Sequence, residues 1–337
     1  MIQSFIFAKN SYNVSALLMR LPDIQKERRP KVELPIQKVG IIGEKRLVHF
    51  HNKYLVKAGE DPDTDVYCNI SVCTDMPASV KGTHMSRLVE AVGKHVRETH
   101  PSLEDFARDL ARSAFVTLSD VGLTQAIAEV SGEMTIDKYA PASHLPSQET
   151  LKIQARVTFD GSISHCEIGV TVPVFLVCPC AQELIKSRVN SVLSSEKLDQ
   201  GLVNKICDLI PMPSHNQRGY ASIFIELPPK VDIDFRDIAK IVHAKLNQIY
   251  SVLKREDELE LVYKAHLNPT FVEDACREIA EGVYESLGEK MDPESTIRIL
   301  LVSEESIHQH DAFAQIEVSF RQLKNLMNAK PRTHNCS

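Results

Sequence analysis

The sequence predicts an α+β chain built on antiparallel sheet, and three observations carry that reading. β-Branched runs with partial alternation come in groups, followed by two amphipathic helical stretches and then by further strands, and this order occurs twice. No Gly-rich phosphate loop of the Walker or Rossmann kind interrupts it, so a parallel βαβ nucleotide fold is excluded. With 337 residues, 43% of them hydrophobic and 25% charged, the chain has enough material for two domains, or one large one, with an ample core.

Lys38 to His51 (KVGIIGEKRLVHFH) and Asp65 to Thr74 (DVYCNISVCT) read as the first strands. Met85 to Glu98 reads as a helix with Leu88, Val89, Val92 and Val96 as its apolar positions. Ser102 to Phe115 reads as a second helix, with Ser102 as N-cap and Asp105 three residues on. Strands follow at Gln125 to Ile136, Thr150 to Ile163 and His165 to Val177. The polar stretch Gln182 to Pro213 contains the helical runs IKSRVNSVL and LVNKICDLI and reads as a helical insertion.

The second half repeats the theme. Tyr220 to Leu227 (YASIFIEL) is an alternating strand closed by Pro228 and Pro229. Ile233 to Leu253 and Pro269 to Leu287 read as helices, the second with Asn268 as N-cap and Pro269 at the first position. Ser295 to Val302 and Phe313 to Phe320 are closing strands, and the basic tail after Leu323 is expected to fray. The expected organisation is an N-terminal extension (1–20), a first module (21–177), a second module (178–325) carrying the insertion at 182–213, and a tail (326–337).

Charge and composition narrow the function. Lys plus Arg is 39 against 45 Asp plus Glu, a net charge of −6, which argues against nucleic-acid and anionic-membrane partners while leaving room for a local basic pocket. Trp is absent and aromatics make up 6%, a poor platform for stacking single-stranded bases. The longest apolar run, Val170 to Cys178, is about half the roughly 18 residues that a membrane span needs and contains Pro173. The N-terminal MIQSFIFAKNSYNV lacks the features of a signal peptide, Met19 offers an alternative start, and the chain reads as cytoplasmic. Eight cysteines are too sparse for a disulfide scaffold.

Short segments set acid–base or metal-type side chains beside turn formers: GTHMSR (82–87), CPC (178–180), SHNQRG (214–219), KREDE (254–258), NPTFVED (268–274) and EESIHQHDAFA (304–314). On a strand, Cys178 and Cys180 would face the same way roughly 6.5–7 Å apart. That is too far for both sulfurs to hold one ion at about 2.3 Å each, unless Pro179 breaks the strand. One thiolate ligand with a second thiol close by is the expected arrangement. His215 stands among Asn216, Gln217 and Arg218, and His308 and His310 alternate beside Glu304, Glu305 and Asp311. A solvated loop, a helix end or a buried thiol would account for any one of these segments. Together they supply a thiolate, one or two imidazoles and a carboxylate, a mixed donor set that suits Zn²⁺ or Fe²⁺ with a position open to water.

In this order GTHMSR, CPCAQ, HNQRG, KREDE, NPTFVED and ESIHQHDA resemble GTP cyclohydrolase of the IB type, from about Leu21 (LPDIQKERRP) to about Leu323. The resemblance implies a bimodular tunnelling fold, each module a four-stranded antiparallel sheet with two helices between its strand pairs. It also implies a homotetramer with active sites between subunits. Carried over residue by residue, Cys178 is the metal thiolate and Cys180 its partner in catalysis. His215 is a ligand or acid–base group, Glu258 a metal-site carboxylate and His308, with His310 as the alternative, the remaining histidine. Glu273 is the guanine anchor, accepting from the ring N–H and the exocyclic amine together.

Arg218, Lys254, Arg255, His84 and Arg87 are candidates for the phosphates, and GTHMSR has no assigned step. The implied reaction uses a divalent metal (Fe, Zn or Mn) that lowers the pKa of a water for attack on the imidazole carbon of GTP. Formate leaves and a 7,8-dihydroneopterin triphosphate forms, the first step of folate-type pterin synthesis. The long segment between CPC and HNQR resembles the archaeal-type branch serving methanopterin synthesis, which makes the 2′,3′-cyclic phosphate and uses Fe²⁺. A purine- or pterin-binding relative without turnover, and a pterin or deazapurine synthase of the same superfamily, are the rival readings.

Overall fold

A computed structural model describes residues 23–329 apart from 163 and 197, so the expected extension at 1–20 and the last eight residues lie outside the described residues. The alternating segments form ten strands among those residues: β1 (Ile36–His51), β2 (Asp63–Met76), β3 (Thr99–His100), β4 (Ala126–Tyr139), β5 (Pro146–Phe159), β6 (Ser164–Val177), β7 (Asn216–Leu227), β8 (Asn247–Gln248), β9 (Thr296–Ser303) and β10 (Ala312–Ser319). All belong to one sheet of order β10-β9-β7-β6-β5-β4-β2-β1-β3, with β8 pairing β6. Every pairing is antiparallel except β1 with β3. Strand β6 pairs with β5 on one side and β7 on the other, which makes the sheet continuous across the middle of the chain.

The helices are α1 (Ile24–Glu27), α2 (Lys53–Ala58), α3 (Met85–His95), α4 (Leu103–Thr117), α5 (Pro179–Ser195), α6 (Gln200–Leu209), α7 (Phe235–Lys245), α8 (Arg255–Leu267), α9 (Val272–Leu287) and α10 (Phe320–Ala329). Two strands, helices and two strands thus recur. In the first half α2 joins β1 to β2, and in the second α5 and α6 join β6 to β7. Alternation buries one sheet face beneath α4, α7 and α9. There Ile70, Ile168, Ile223 and Ile297 of the sheet meet Phe106, Leu110, Ile238 and Ile279 of the helices in one cluster, all fully buried. Burying each such side chain contributes about 1.5–3 kcal/mol. Gly43, at φ 74°, sits where the β1–β2 register shifts between Ile41 and Glu44, a bulge that needs a residue tolerant of the left-handed region.

Several boundaries differ from the sequence expectation, each because a tertiary contact claims the backbone. The Ser102 cap holds, with the Asp105 N–H donating to Ser102 Oγ at 3.2 Å. The helix expected through Leu253 stops at Lys245, because Asn247 and Gln248 pair with Phe175 and Val174 of β6. The helix expected from Pro269 starts at Val272 with Phe271 as N-cap; Asn268 instead ends α8, and the Thr270 N–H donates to the Val177 carbonyl at 3.1 Å. The tail expected to fray after Leu323 continues as α10 to Ala329, anchored by buried Phe320 and Leu323. No helix among the described residues is long and apolar enough to cross a membrane.

Candidate active site

Strand β6 runs out at Val177, and Pro179 then starts α5 with Cys178 as its N-cap. The proline breaks the strand, so the two cysteines do not share a strand face: Cys178 stands at the junction, half-buried, and Cys180 is exposed in the first turn of α5. The Cys178 backbone is clamped on both sides. Its N–H donates to the His215 carbonyl at 3.1 Å, and its own carbonyl accepts from Ser214 Oγ at 2.6 Å. One turn on, buried Gln182 Nε2 donates to the carbonyls of Met212 at 2.8 Å and His266 at 2.7 Å, tying α5 to the chain that enters β7.

His215 directly precedes β7 and its ring is held by a relay. The Gln217 amide donates through Nε2 to Glu305 Oε1 at 3.2 Å, which turns Gln217 Oε1 toward His215 Nδ1 at 3.1 Å. A carbonyl oxygen can only accept, so His215 carries its proton on Nδ1 and presents a bare Nε2. Glu305 is itself fixed by Ser303 Oγ, which donates to the same oxygen at 3.0 Å. The β9–β10 connection brings His308 beside His215, ring centroids 6.3 Å apart and edge-on, with His310 stacked on His308 at 5.2 Å. Glu273, in the first turn of α9, completes the group. Gly219, last of the HNQRG run, packs where an added Cβ would stand 2.9 Å from Leu176 and 3.0 Å from the Val302 carbonyl, so β7 lies close against β6 and β9 beneath the site.

These elements enclose a cavity of about 250 Å³ lined by Cys178, His215, Gln217, Glu273, His308 and His310, with Phe271 and Glu305 among its other walls. A cavity of about 1040 Å³ lies elsewhere, lined by residues of both halves such as Asn52, Tyr54, Lys138 and Arg236, and holds none of the expected site residues. The donor chemistry singles out the smaller one.

The other sequence candidates do not line it. Alternation along β7 turns Arg218 to the sheet face opposite Gln217. Lys254 caps α8, and Arg255 and Glu258 are exposed in its first turn. In that KREDE run Asp257 is fully buried and holds the 142–143 backbone: its oxygens accept from Ala142 N–H at 2.9 Å, Ser143 N–H at 2.7 Å and Ser143 Oγ at 2.6 Å. Burial alone would raise its pKa, but these bonds and that from the Lys254 N–H win and hold it far below the ordinary carboxylate range. His84 caps α3 with Nε2 3.5 Å from Asp23, and Arg87 pairs with Asp120 at 3.1 Å.

A family model described as Type I GTP cyclohydrolase folE2 matches residues 21–314. The chain belongs to the GTP cyclohydrolase family. Among curated relatives, GTP cyclohydrolase MptA of Methanosphaera stadtmanae is 33% identical over 311 residues, 90% of this chain and 96% of that one. GTP cyclohydrolase MptA of Haloferax volcanii is 31% identical over 320 residues, 92% and 99% of the two chains. A uricase from Arthrobacter globiformis superposes with a TM-score of 0.49 at 11% identity, over 86% of this chain and 96% of that one, a likeness too distant to inform substrate or chemistry.

In this GTP cyclohydrolase one cavity is thus lined by Cys178, three histidines and the carboxylates of Glu273 and Glu305, whereas Cys180 and Glu258, expected beside them, are exposed outside its lining. Sequence reasoning passed over the Gln217–Glu305 relay. The polar run HNQR and the pair Glu304–Glu305 were visible, but only the β7–β9 pairing shows that they meet.

Proposed function

We propose that the cyclohydrolase opens the imidazole ring of GTP at the Cys178 cavity, releases formate and forms a 7,8-dihydroneopterin phosphate, the 2′,3′-cyclic phosphate being the favoured product. One observation carries the site: a thiol, an oriented imidazole, two further histidines and a helix-borne carboxylate, drawn from four separate segments, line a single small cavity. The cyclic product is supported by the relatives at 31–33% identity that bear the name GTP cyclohydrolase MptA. The two halves, 21–177 and 178–325, are read as two tunnelling-fold modules, consistent with the repeated element order.

By its chemistry the donor set suits a divalent transition ion, which would draw together ligand atoms that do not yet lie within 4.8 Å of one another. Cys178 Sγ, the bare Nε2 of His215 and a ring nitrogen of His308 are soft-to-borderline ligands of the kind that Zn²⁺ and Fe²⁺ take. Such an ion, when bound, supplies a Lewis acid that makes water a nucleophile near neutral pH. The chain's own groups do the rest. Glu273 accepts from the ring N–H and exocyclic amine of guanine; adenine offers an acceptor at the ring position and would face the carboxylate with repulsion. His310, a wall of the same cavity, is placed to hand protons to and from the opening ring. Gln217 and Glu305 keep His215 in one tautomer.

A cavity of about 250 Å³ suits the base better than a whole nucleoside triphosphate, and no Lys or Arg lines it. We therefore read the site as completed in a homotetramer, where a neighbouring copy contributes cations for the phosphates. The test is anaerobic incubation with GTP and Zn²⁺, Mn²⁺ or Fe²⁺ in turn, following formate and identifying the pterin by mass, beside a Cys178→Ala control. Formate and a neopterin lost in the control are expected, and the mass separates cyclic phosphate from triphosphate. Folded protein that releases no formate with any of the three metals would sink the reading.

A further inference from the structure

A second cluster of metal-type side chains lies outside the Cys178 cavity, and none of the six sequence segments contains it. It closes the turn after α3: His95 ends the helix, Glu98 follows in the turn, and His100 sits in β3. One ligand atom from each of the three lies within 4.8 Å of the others. Tetrahedral ligation at about 2.0–2.2 Å sets donors roughly 3.3–3.6 Å apart, so closure asks for shifts of about an ångström. His95 Nδ1 and Glu98 Oε2 already meet at 2.8 Å.

His100 decides the matter. Its ring is 3% exposed and has an acceptor at each nitrogen, the His95 carbonyl 2.9 Å from Nε2 and Asp109 Oδ2 3.4 Å from Nδ1. A neutral imidazole has one N–H, so it satisfies one acceptor and turns a lone pair on the other. A metal can take that lone pair while the other nitrogen keeps its orienting partner, as ligating histidines commonly do with a carbonyl or carboxylate. The parallel pairing of His49–Phe50 with Thr99–His100 and the seat of His100 against Phe106 hold the ring rigidly.

We propose that His95, Glu98 and His100, the last oriented by its Nε2–H on the His95 carbonyl and offering Nδ1, form a second divalent transition-metal site of two imidazoles and a carboxylate. It is thiolate-free, open to solvent through exposed Glu98, and suited to Zn²⁺ or Co²⁺. In sheet order β3 stands five strands from β6, which ends at Cys178, so within one chain the two sites are separated by roughly 24 Å at the usual strand spacing. The ion would staple the end of α3 to the edge strand.

The experiment counts ions. Protein stripped with a chelator is titrated anaerobically with Co²⁺, and bound metal is read by elemental analysis together with the thiolate-to-cobalt band in the near ultraviolet. Expected for the wild type is an ion beyond the one that gives the thiolate band. Glu98→Gln and His95→Ala lose that extra ion and keep the band. Cys178→Ala loses the band and keeps the extra ion. Because Glu98 is exposed, Glu98→Gln tests the site without threatening the fold. A wild type with one ion, whose thiolate band and stoichiometry are unchanged in Glu98→Gln and His95→Ala, overturns the proposal. A single ion without the band, lost in Glu98→Gln, supports this site and tells instead against Cys178 as a ligand.

Discussion

Glu104 and Glu273 hold the same position in the two halves of the chain, each the second residue of the helix that precedes the closing strand pair. Their fates differ. Glu104 is buried, accepts from Tyr54 Oη at 2.6 Å and lies 3.2 Å from Lys53 Nζ, which also reaches Asp105 at 3.0 Å and Asp232 at 2.8 Å. Burial would push the Lys53 ammonium toward its neutral form, but the surrounding carboxylates prevail and keep it charged. Glu273 instead lines the cavity. The junctions after β1 and β6 pair off in the same way. Asn52 caps α2 by accepting from the Tyr54 N–H at 3.0 Å, whereas Cys178 at the head of α5 makes no side-chain cap bond. One arrangement thus spends its polar groups on internal bonds and the other leaves them facing a cavity.

The strongest way to break the comparison is to exchange the junction residues. Cys178→Asn is expected to remove at least about 10³-fold of formate release, the several kcal/mol that a metal centre supplies to catalysis. The same change is expected to leave stability unchanged or raise it by up to about 1 kcal/mol, because an asparagine there can cap α5. Full activity in Cys178→Asn would end the contrast. Asn52→Ala is the counterpart, losing about 1 kcal/mol in denaturant unfolding with turnover intact.

The paired carboxylates come next. Glu273→Gln should lower kcat/KM for GTP by about 10–100-fold, the loss of a charged hydrogen-bond acceptor, with no shift in unfolding midpoint. Glu104→Gln should do the reverse, costing about 2–3 kcal/mol of stability while kcat/KM stays near wild type. Equal effects of the two on activity would show that the halves do not divide the work.

Smaller effects follow from groups that act through a neighbour. Gln217→Leu removes the acceptor on His215 Nδ1 and should cut kcat by about 10-fold or more; Gln217→Glu, which keeps an acceptor, should recover part of the loss. Wild-type kcat in Gln217→Leu would remove the relay from the mechanism. Asp257 gives the mildest effect. Its carboxyl is depressed in the folded protein from an ordinary value of 3.8, so its stabilisation is fully present above that value and drains away as pH falls toward the folded-state pKa. Asp257→Asn should therefore lower the melting temperature near neutral pH and flatten the fall in stability on acidification below about pH 4, with formate release at neutral pH unchanged.

Much of this was legible in the chain. Alternation marked the long strands because a half-buried sheet face demands a period of two, and Ser102 announced α4 because its hydroxyl satisfies an orphan N–H. The six ordered segments named the family, and four of them supply residues that gather at the cavity, since thiol, imidazole and carboxylate side chains beside turn formers carry chemistry whatever surrounds them. Local signals failed where a distant strand or loop took over the backbone. Asn247–Gln248 left a helical pattern to pair with β6, Asn268 capped the wrong helix for its sequence, and KREDE hid the buried Asp257 beside exposed Glu258.

What the sequence by itself determined was the type of each long element and the kinds of donor available, because propensity, period and side-chain chemistry are properties of a few neighbouring residues. Only the tertiary structure decided which donors meet. Residues more than a hundred positions apart, from Cys178 to His308, share a cavity because β6, β7 and β9 are neighbours in one sheet. Glu104 and Glu273, alike in sequence position, differ because Lys53 and Tyr54 fold back over one of them and an open cavity receives the other.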